Sequence, residues 1–204
     1  YICAYCDFCK VFYNKKYVND YLDALDKEIT SNYKGEVITS LYIGGGTPSS
    51  LSIDELEKLF NIISIFNLSE DCEITMEGNP DSLSLDKIKL LKKYGVNRVS
   101  LGVETINNKL QETLERKTSK DNVINCINNL KSNGITNINV DLIYAIIGET
   151  LDDLKEDLNF LLSLDVPHIS TYSLIIEDNT KLKINDVKNI DKLIDREMYD
   201  MISS

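Results

Sequence analysis

Three cysteines fall within seven residues at the start of the chain, Cys3, Cys6 and Cys9, while Cys72 and Cys126 stand alone. Thiols that close together on a loop suit a metal or an iron–sulfur cluster in a reducing compartment, where disulfides rarely persist. A zinc knuckle would need a second Cys/His pair to close its tetrahedron, and His168 is the only histidine. Five cysteines over 204 residues are also too few and too uneven for a secreted disulfide framework. Cys72 and Cys126 read as small buried hydrophobes.

The other residues able to do chemistry sit where short apolar runs end. Gly44, Gly45, Gly46, Thr47 and Pro48 follow one run, and Glu77, Gly78 and Asn79 follow the next. Glu104 closes a third run and Asp141 lies within a fourth. The glycines meet neither the GxGxxG nor the GK[ST] nucleotide fingerprint, so they indicate close backbone approach to some other ligand. Asp141 inside an apolar run would be costly without a partner. Taken singly, Glu77 and Asp141 could each be helix-cap acceptors. Arg116 alone reads as a solvated helix-end charge, and His168, at a strand start away from the other groups, reads as structural.

The runs that carry these groups are predicted strands at 37–43, 73–77, 98–103, 138–144 and 169–174, rich in β-branched residues. Between them, apolar spacings of three and four predict helices at about 106–113, 119–132 and 151–164, with others near 17–33 and 190–202. Ser52 with Glu55 forms a capping box ahead of a helix, and Ser84 caps another. One unit repeats: residues 91–104 and 130–143 each run from a helix end through a glycine (Gly95, Gly134) into a strand. Residues 162–175 keep that spacing with Asp165 in the glycine's place. Alternating strands and helices predict an α/β fold around a parallel sheet, whose strand ends would gather Glu77, Glu104 and Asp141 on one acidic rim. Such a rim suits a ligand with a cationic group. Five units fall short of the ~250 residues of a full eight-unit barrel.

With 22 basic and 33 acidic residues the formal charge is −11, which argues against a large phosphate-binding surface and hence against nucleic acid. Hydrophobic content of 43% supports a folded core. No apolar run approaches the ~18 residues of a membrane span, and no signal segment is visible, so a cytoplasmic protein is expected. The chain opens on Tyr1 in mid-motif and is expected to be a fragment.

Together these stretches resemble the radical S-adenosylmethionine (SAM) superfamily, and within it the oxygen-independent coproporphyrinogen III oxidase-like family with its haem-chaperone branch. The resemblance runs through ICAYCDF, LYIGGGTPSSLS, EITMEGNPDSL, GVNRVSLGVET, NINVDLIYAIIGET and HISTYSLIIEDNT, nearly the whole chain. It implies a partial parallel (βα)6-type barrel, one radical SAM core domain over residues 1–204, truncated at both ends and lacking the first strand. It also implies a [4Fe–4S] cluster held by three cysteines. Cys3 and Cys6 match two of them, and the first would lie four residues before Cys3. Cys9 is an extra thiol, either a bystander or a replacement ligand.

The same resemblance implies SAM as cofactor, with Tyr5 beside the adenine, Gly45, Gly46 and Thr47 as the turn that binds it, and Glu77 as the acid in contact with it. Glu104, Arg116 and Asp141 match polar residues assigned to a second SAM in the oxidase branch, and Ile175 falls near an apolar contact. The chemistry implied is one-electron reduction of SAM to methionine and a 5′-deoxyadenosyl radical.

Some positions depart from the family pattern. Glu104 replaces the usual glutamine, Thr118 a histidine, and Ile146, Ile147 and Gly148 the usual Leu-Pro-Gly. Phe8 stands where the oxidase branch has a further cysteine, which favours the chaperone branch. Haem would then be bound and delivered to a haem-accepting protein, with an electron donor serving the cluster. The alternative is an oxidoreductase, a coproporphyrinogen III dehydrogenase acting on a porphyrinogen. Another radical SAM reaction such as tRNA modification fits poorly with the acidic surface.

Overall fold

The computed structural model describes residues 2–9 and 11–204. Five parallel strands, β1 (Val37–Ile43), β2 (Asn67–Gly78), β3 (Arg98–Glu104), β4 (Asn137–Tyr144) and β5 (His168–Ser173), pair in chain order. Each parallel step is bridged by helix, as a parallel connection requires. The bridging helices are α2 (Ile53–Ile63), α3 (Leu85–Lys93), α4 (Asn108–Leu114) with α5 (Lys120–Ser132), and α6 (Leu151–Ser163). Helix α1 (Lys15–Asn32) precedes the sheet; α7 (Lys181–Ile184) and α8 (Lys192–Ser203) follow it. The result is a curled sheet forming part of a barrel, the α/β architecture expected from the alternating pattern.

Period-two alternation divides each strand's side chains between two faces. Ile74, Met76, Val99, Leu101, Val103, Ile138, Val140 and Leu142 are buried in the main core with Leu56 and Phe60 of α2, Leu91 of α3 and Leu130 of α5. The intervening positions are polar: Thr75 and Glu77 on β2, Ser100 on β3, Asn139 and Asp141 on β4, Ser170 on β5. The core therefore holds the polar face at fixed register, with Glu77 opposite Ser100, Ser100 opposite Asn139, and Asp141 opposite both Gly102 and Ser170.

Helix ends follow local chemistry. Ser52 and Glu55 form the expected capping box, Ser84 accepts from the Lys87 N–H, and Thr150 with Asp153 forms a second capping box that sequence inspection passed over. The repeated unit also holds. Gly95 and Gly134 have φ of +83° and +78°, and Asp165, in the same place, has φ of +51°. An aspartate carries a Cβ penalty in this left-handed region that glycine does not. Its carboxylate is fully exposed against Lys131, whose ammonium also bonds the Leu164 and Asp165 carbonyls. Asp165→Gly is therefore expected to stabilise the chain by about 0.5 kcal/mol, read as a higher urea midpoint at unchanged slope.

Two strand and helix boundaries differ from expectation. β2 begins at Asn67, six residues before the predicted start, because Asn67 and Leu68 pair with Val37 and Ile38 ahead of a register break in β1. The single turn α7 was not anticipated; it is too short to show a period. Among the described residues no helix is long and apolar enough to cross a membrane.

Candidate functional site

The cysteine loop is seated by backbone bonds reaching far along the chain. Ala4 is buried; its N–H donates to the Leu114 carbonyl (3.0 Å), and its carbonyl accepts from the Leu182 N–H (3.1 Å). Ala4 packs with Leu110, Leu114, Ile143, Ile146, Leu174 and Leu182 in a second small core, with Tyr5 against it. Cys3 and Cys6 are half-buried and Cys9 is exposed. Cys72 and Cys126 are buried, as expected for isolated apolar thiols.

Beside this loop the β1 end makes a cradle. A Cβ on Gly44 would lie 2.7 Å from the Tyr42 ring and 3.0 Å from the Glu77 carboxylate, so only glycine fits there. Gly45 has φ of +116°, and neither Gly45 nor Gly46 has any atom within 4 Å of where a Cβ would stand. That open space over bare backbone is what a close-lying ligand needs. Glu77, at the β2 end, accepts from the Gly45 N–H (3.2 Å) and the Tyr42 hydroxyl (2.7 Å), fixing the turn. Thr47 donates its hydroxyl to the Gly46 carbonyl. Below, Ser49 accepts from the Asn79 N–H, and Lys87 donates to the Ser49 and Ser82 carbonyls, so the turn is braced on the next unit.

Arg116 is not a solvated helix-end charge. It is 7% exposed, because Glu115 takes the left-handed C-cap of α4 and turns the chain back over the strand ends. Its Nη2 donates to the Gly102 carbonyl (2.5 Å) and the Asn79 side-chain oxygen (3.1 Å). Its Nη1 lies 3.5 Å from Glu104 Oε1, 3.4 Å from the Tyr5 hydroxyl and 3.6 Å from Cys3 Sγ. The Tyr5 hydroxyl also donates to Glu104 (3.2 Å). The acidic rim thus encloses a buried cation, which the residue pattern around Arg116 alone did not suggest. Burial pushes the Glu104 carboxyl up to about 7 against the pull of Arg116. Burial opposes the charge on Arg116 as well, yet Glu104 holds its pKa above the ordinary value.

Asp141 has partners, but none is a cation. Ser170 donates to Asn139, Asn139 donates to Ser100 and Asp141, and Ser100 donates to Asp141, all within 3.2 Å. Burial raises the Asp141 pKa, with Glu77 adding to the effect. Neither Glu77 nor Asp141 caps a helix; Ser84 and Thr150 do that work. Ile175 is 66% exposed beyond β5, in neither apolar cluster. His168 bonds Arg98 at the opposite, amino-terminal end of the strands.

The structure therefore joins Cys3, Tyr5, Glu104 and Arg116 in one cluster, sets Glu77 on Gly45, and places Asp141 on the neighbouring strand. It adds Tyr42, Ser100, Gly102, Asn139 and Ser170, and makes Asn79 an acceptor for Arg116. Ser100, Asn139 and Ser170 are brought together only by the strand register. Among the described residues no three potential donors converge as a metal site. Cys3 and Cys6 are two of the thiols a cluster would need, and the bare backbone at Gly45 and Gly46 leaves room for close approach of a cofactor.

Comparisons with known proteins agree with the fold. The chain is 42% identical to the heme chaperone HemW of Lactococcus lactis over 88% of its length and 47% of that protein. It is 41% identical to HemW of Bacillus subtilis, with 88% and 48% covered. The chain spans about half the length of the curated relatives it matches. The solved coproporphyrinogen III oxidase (HemN) from Escherichia coli, described as a radical SAM enzyme, superposes with a TM-score of 0.91 at 25% identity, over 99% of this chain and 48% of that one. The radical SAM methyltransferase TsrM from Kitasatospora setae, 16% identical with a TM-score of 0.70, shares the fold. The family in turn implies a [4Fe–4S] cluster and SAM as cofactors. The radical SAM superfamily model matches residues 1–161, more than three quarters of the sequence, and the chain belongs to that superfamily.

Proposed function

We propose that the chain is the radical SAM core of a haem chaperone, a protein that binds haem and passes it to a haem-accepting protein. The observation that carries this reading is the 42% identity to a heme chaperone over 88% of the chain. In this reading Cys3 and Cys6 supply two cluster thiolates. Gly45, Gly46 and Thr47 lie along SAM with Tyr5 and Ile175 at its apolar parts, and Glu77 orients the turn and meets its cationic groups. Asp141, held by Ser100 and Asn139, lines the same rim. When bound, cluster and SAM supply one-electron reductive cleavage chemistry; the protein's part is to bind, orient and exclude water. The chain acts in the cytoplasm, with an electron donor for the cluster.

A second reading, oxidation of coproporphyrinogen III, draws on the 0.91 TM-score to the oxidase. Phe8, in place of a further thiol, weighs against it. Protein carrying this chain, reconstituted anaerobically, is expected to bind haem and transfer it to an apo-haemoprotein, followed by Soret absorbance. With coproporphyrinogen III and SAM it is expected to form no protoporphyrinogen IX. Appearance of that product would replace the chaperone reading with the oxidase one.

A further inference from the structure

We infer that Glu104, Arg116 and Tyr5 form a latch that seats the cysteine loop on the ends of β2 and β3, and that Arg116 and Glu104 serve this seating rather than contact with a second SAM. The inference rests on the reading of Cys3 and Cys6 as cluster thiolates only in what it says about their purpose; the latch itself is a contact within the chain.

The donors of Arg116 are committed internally. Nη2 faces the Gly102 carbonyl and Asn79, and Nη1 faces Glu104, Tyr5 and Cys3. The remaining donor, Nε, is sealed from solvent without a partner. Both outer nitrogens of the guanidinium are thus turned to protein acceptors, and the one donor left over, Nε, is closed off from solvent. Glu104 is equally engaged, accepting from the Tyr5 hydroxyl beside the Arg116 ion pair.

The backbone is shaped to hold this pair. β3 breaks register against β4 between Gly102 and Glu104, and Glu104 takes φ of +68°, a strained region for a residue with a Cβ. That break aims the carboxylate at Arg116. Gly102 leaves room for both, since a Cβ there would lie 2.9 Å from Glu104 Oε1 and 3.2 Å from Arg116 Nη2. A bulge, a left-handed glutamate and an obligatory glycine converge on one ion pair. The partner on the other side is the loop residue Tyr5, flanked by the Ala4 backbone bonds to Leu114 and Leu182.

The charge on Glu104 matters in its own right. Breaking a buried pair leaves an uncompensated charge, which costs far more than loss of a surface pair. A carboxylate at position 104 lets Arg116 stay buried next to Cys3 without any bound anion. The latch is thus complete in the chain alone.

The test is hydrogen exchange by mass spectrometry on the chain without cluster or SAM, reading residues 2–8 against α2 and α6. Glu104→Ala and Arg116→Met are expected to speed exchange of residues 2–8 at least tenfold while α2 and α6 keep their protection. Glu104→Gln, which keeps an oxygen for Tyr5 but removes the charge opposite Arg116, is expected to speed exchange of residues 2–8 by about three- to tenfold, less than Glu104→Ala. Tyr5→Phe is expected to give an intermediate acceleration and decides the matter if the buried variants unfold globally. Parent-like exchange of residues 2–8 in Glu104→Ala and Arg116→Met, or in Tyr5→Phe where those two unfold, overturns the latch. Two SAM molecules bound per reconstituted chain would overturn the part concerning Arg116 and Glu104 as ligands. Because the exchange is read without cofactors, failure to take up a cluster would defeat the proposed function and leave the latch standing.

Discussion

Replacing Glu149 with glutamine is expected to stabilise the chain by about 2 kcal/mol at pH 8.5 and by almost nothing near pH 5. Glu149 is buried in the turn after β4; its Oε2 accepts from the Ile146 N–H at 2.9 Å, and its Oε1 is sealed without a partner. Burial pushes this carboxyl up to about 8, and the nearby acids Asp157 and Asp153 add to the shift. A carboxyl whose folded pKa lies above its unfolded value keeps its proton in the native state while the unfolded chain gives it up. The native state then binds more protons between about pH 4.5 and 8, so stability falls as pH rises through that window and levels above it. Asp157 contributes with the same sign: burial raises it, and its Oδ2 also lacks a partner while Oδ1 accepts from the Ile106 N–H. Glutamine keeps the oxygen that the Ile146 N–H needs and removes the ionisation. Urea unfolding at pH 5.5, 7 and 8.5 reads the effect. Parallel loss of stability in variant and parent across that range would show that Glu149 does not titrate as described.

Glu77→Ala is expected to weaken SAM binding by about 10- to 100-fold in anaerobically reconstituted protein. The carboxylate makes two hydrogen bonds, one to the backbone of the cradle at Gly45 and one to Tyr42. Its removal frees a turn that depends on a left-handed glycine, and it deletes the rim's charge closest to the cradle. Tyr42→Phe deletes one of these bonds and leaves the carboxylate, so a loss of a fewfold is expected. Equilibrium dialysis with labelled SAM measures both. If Glu77→Ala binds as tightly as the parent, the cradle is not the SAM site.

The parts of the fold that repeat a physical unit were legible in the sequence. Gly95, Gly134 and Asp165 mark three helix ends, and all three residues take positive φ as the spacing demanded. The apolar alternation of β3 and β4 survives because both strands are buried against helices on one side. What escaped notice has no period. Asn67 to Asp71 are mostly exposed and, apart from Leu68, polar, so nothing in their pattern marks the first half of β2; its pairing with β1 is a tertiary decision. Arg116 follows a helix whose C-cap is Glu115 in place of glycine, and its burial depends on Asn79, Gly102 and Glu104 from two strands. In sequence Glu149 stands just before a helix N-cap and Asp157 within that helix, both ordinary places for a solvated acid. Only packing reveals them as sealed carboxyls. The site residues read from the strand pattern were those at strand ends, where architecture alone predicts chemistry, while Tyr5, Arg116 and Ile175 came from the family resemblance; the hydrogen-bonded row Ser100, Asn139 and Ser170 required register.

The double anchoring of Ala4 bears on the order in which the chain acquires its shape. Strands paired in chain order are each joined to the next by a single helical crossover, so the sheet can grow one βα unit at a time. The cysteine loop cannot join that progression early, because its two backbone partners are Leu114 and Leu182. During synthesis the thiols of this loop therefore wait for residues as far on as Leu182 to emerge before they are fixed. A metal centre added to this protein is consequently a late event, reserved for a chain whose sheet is already built.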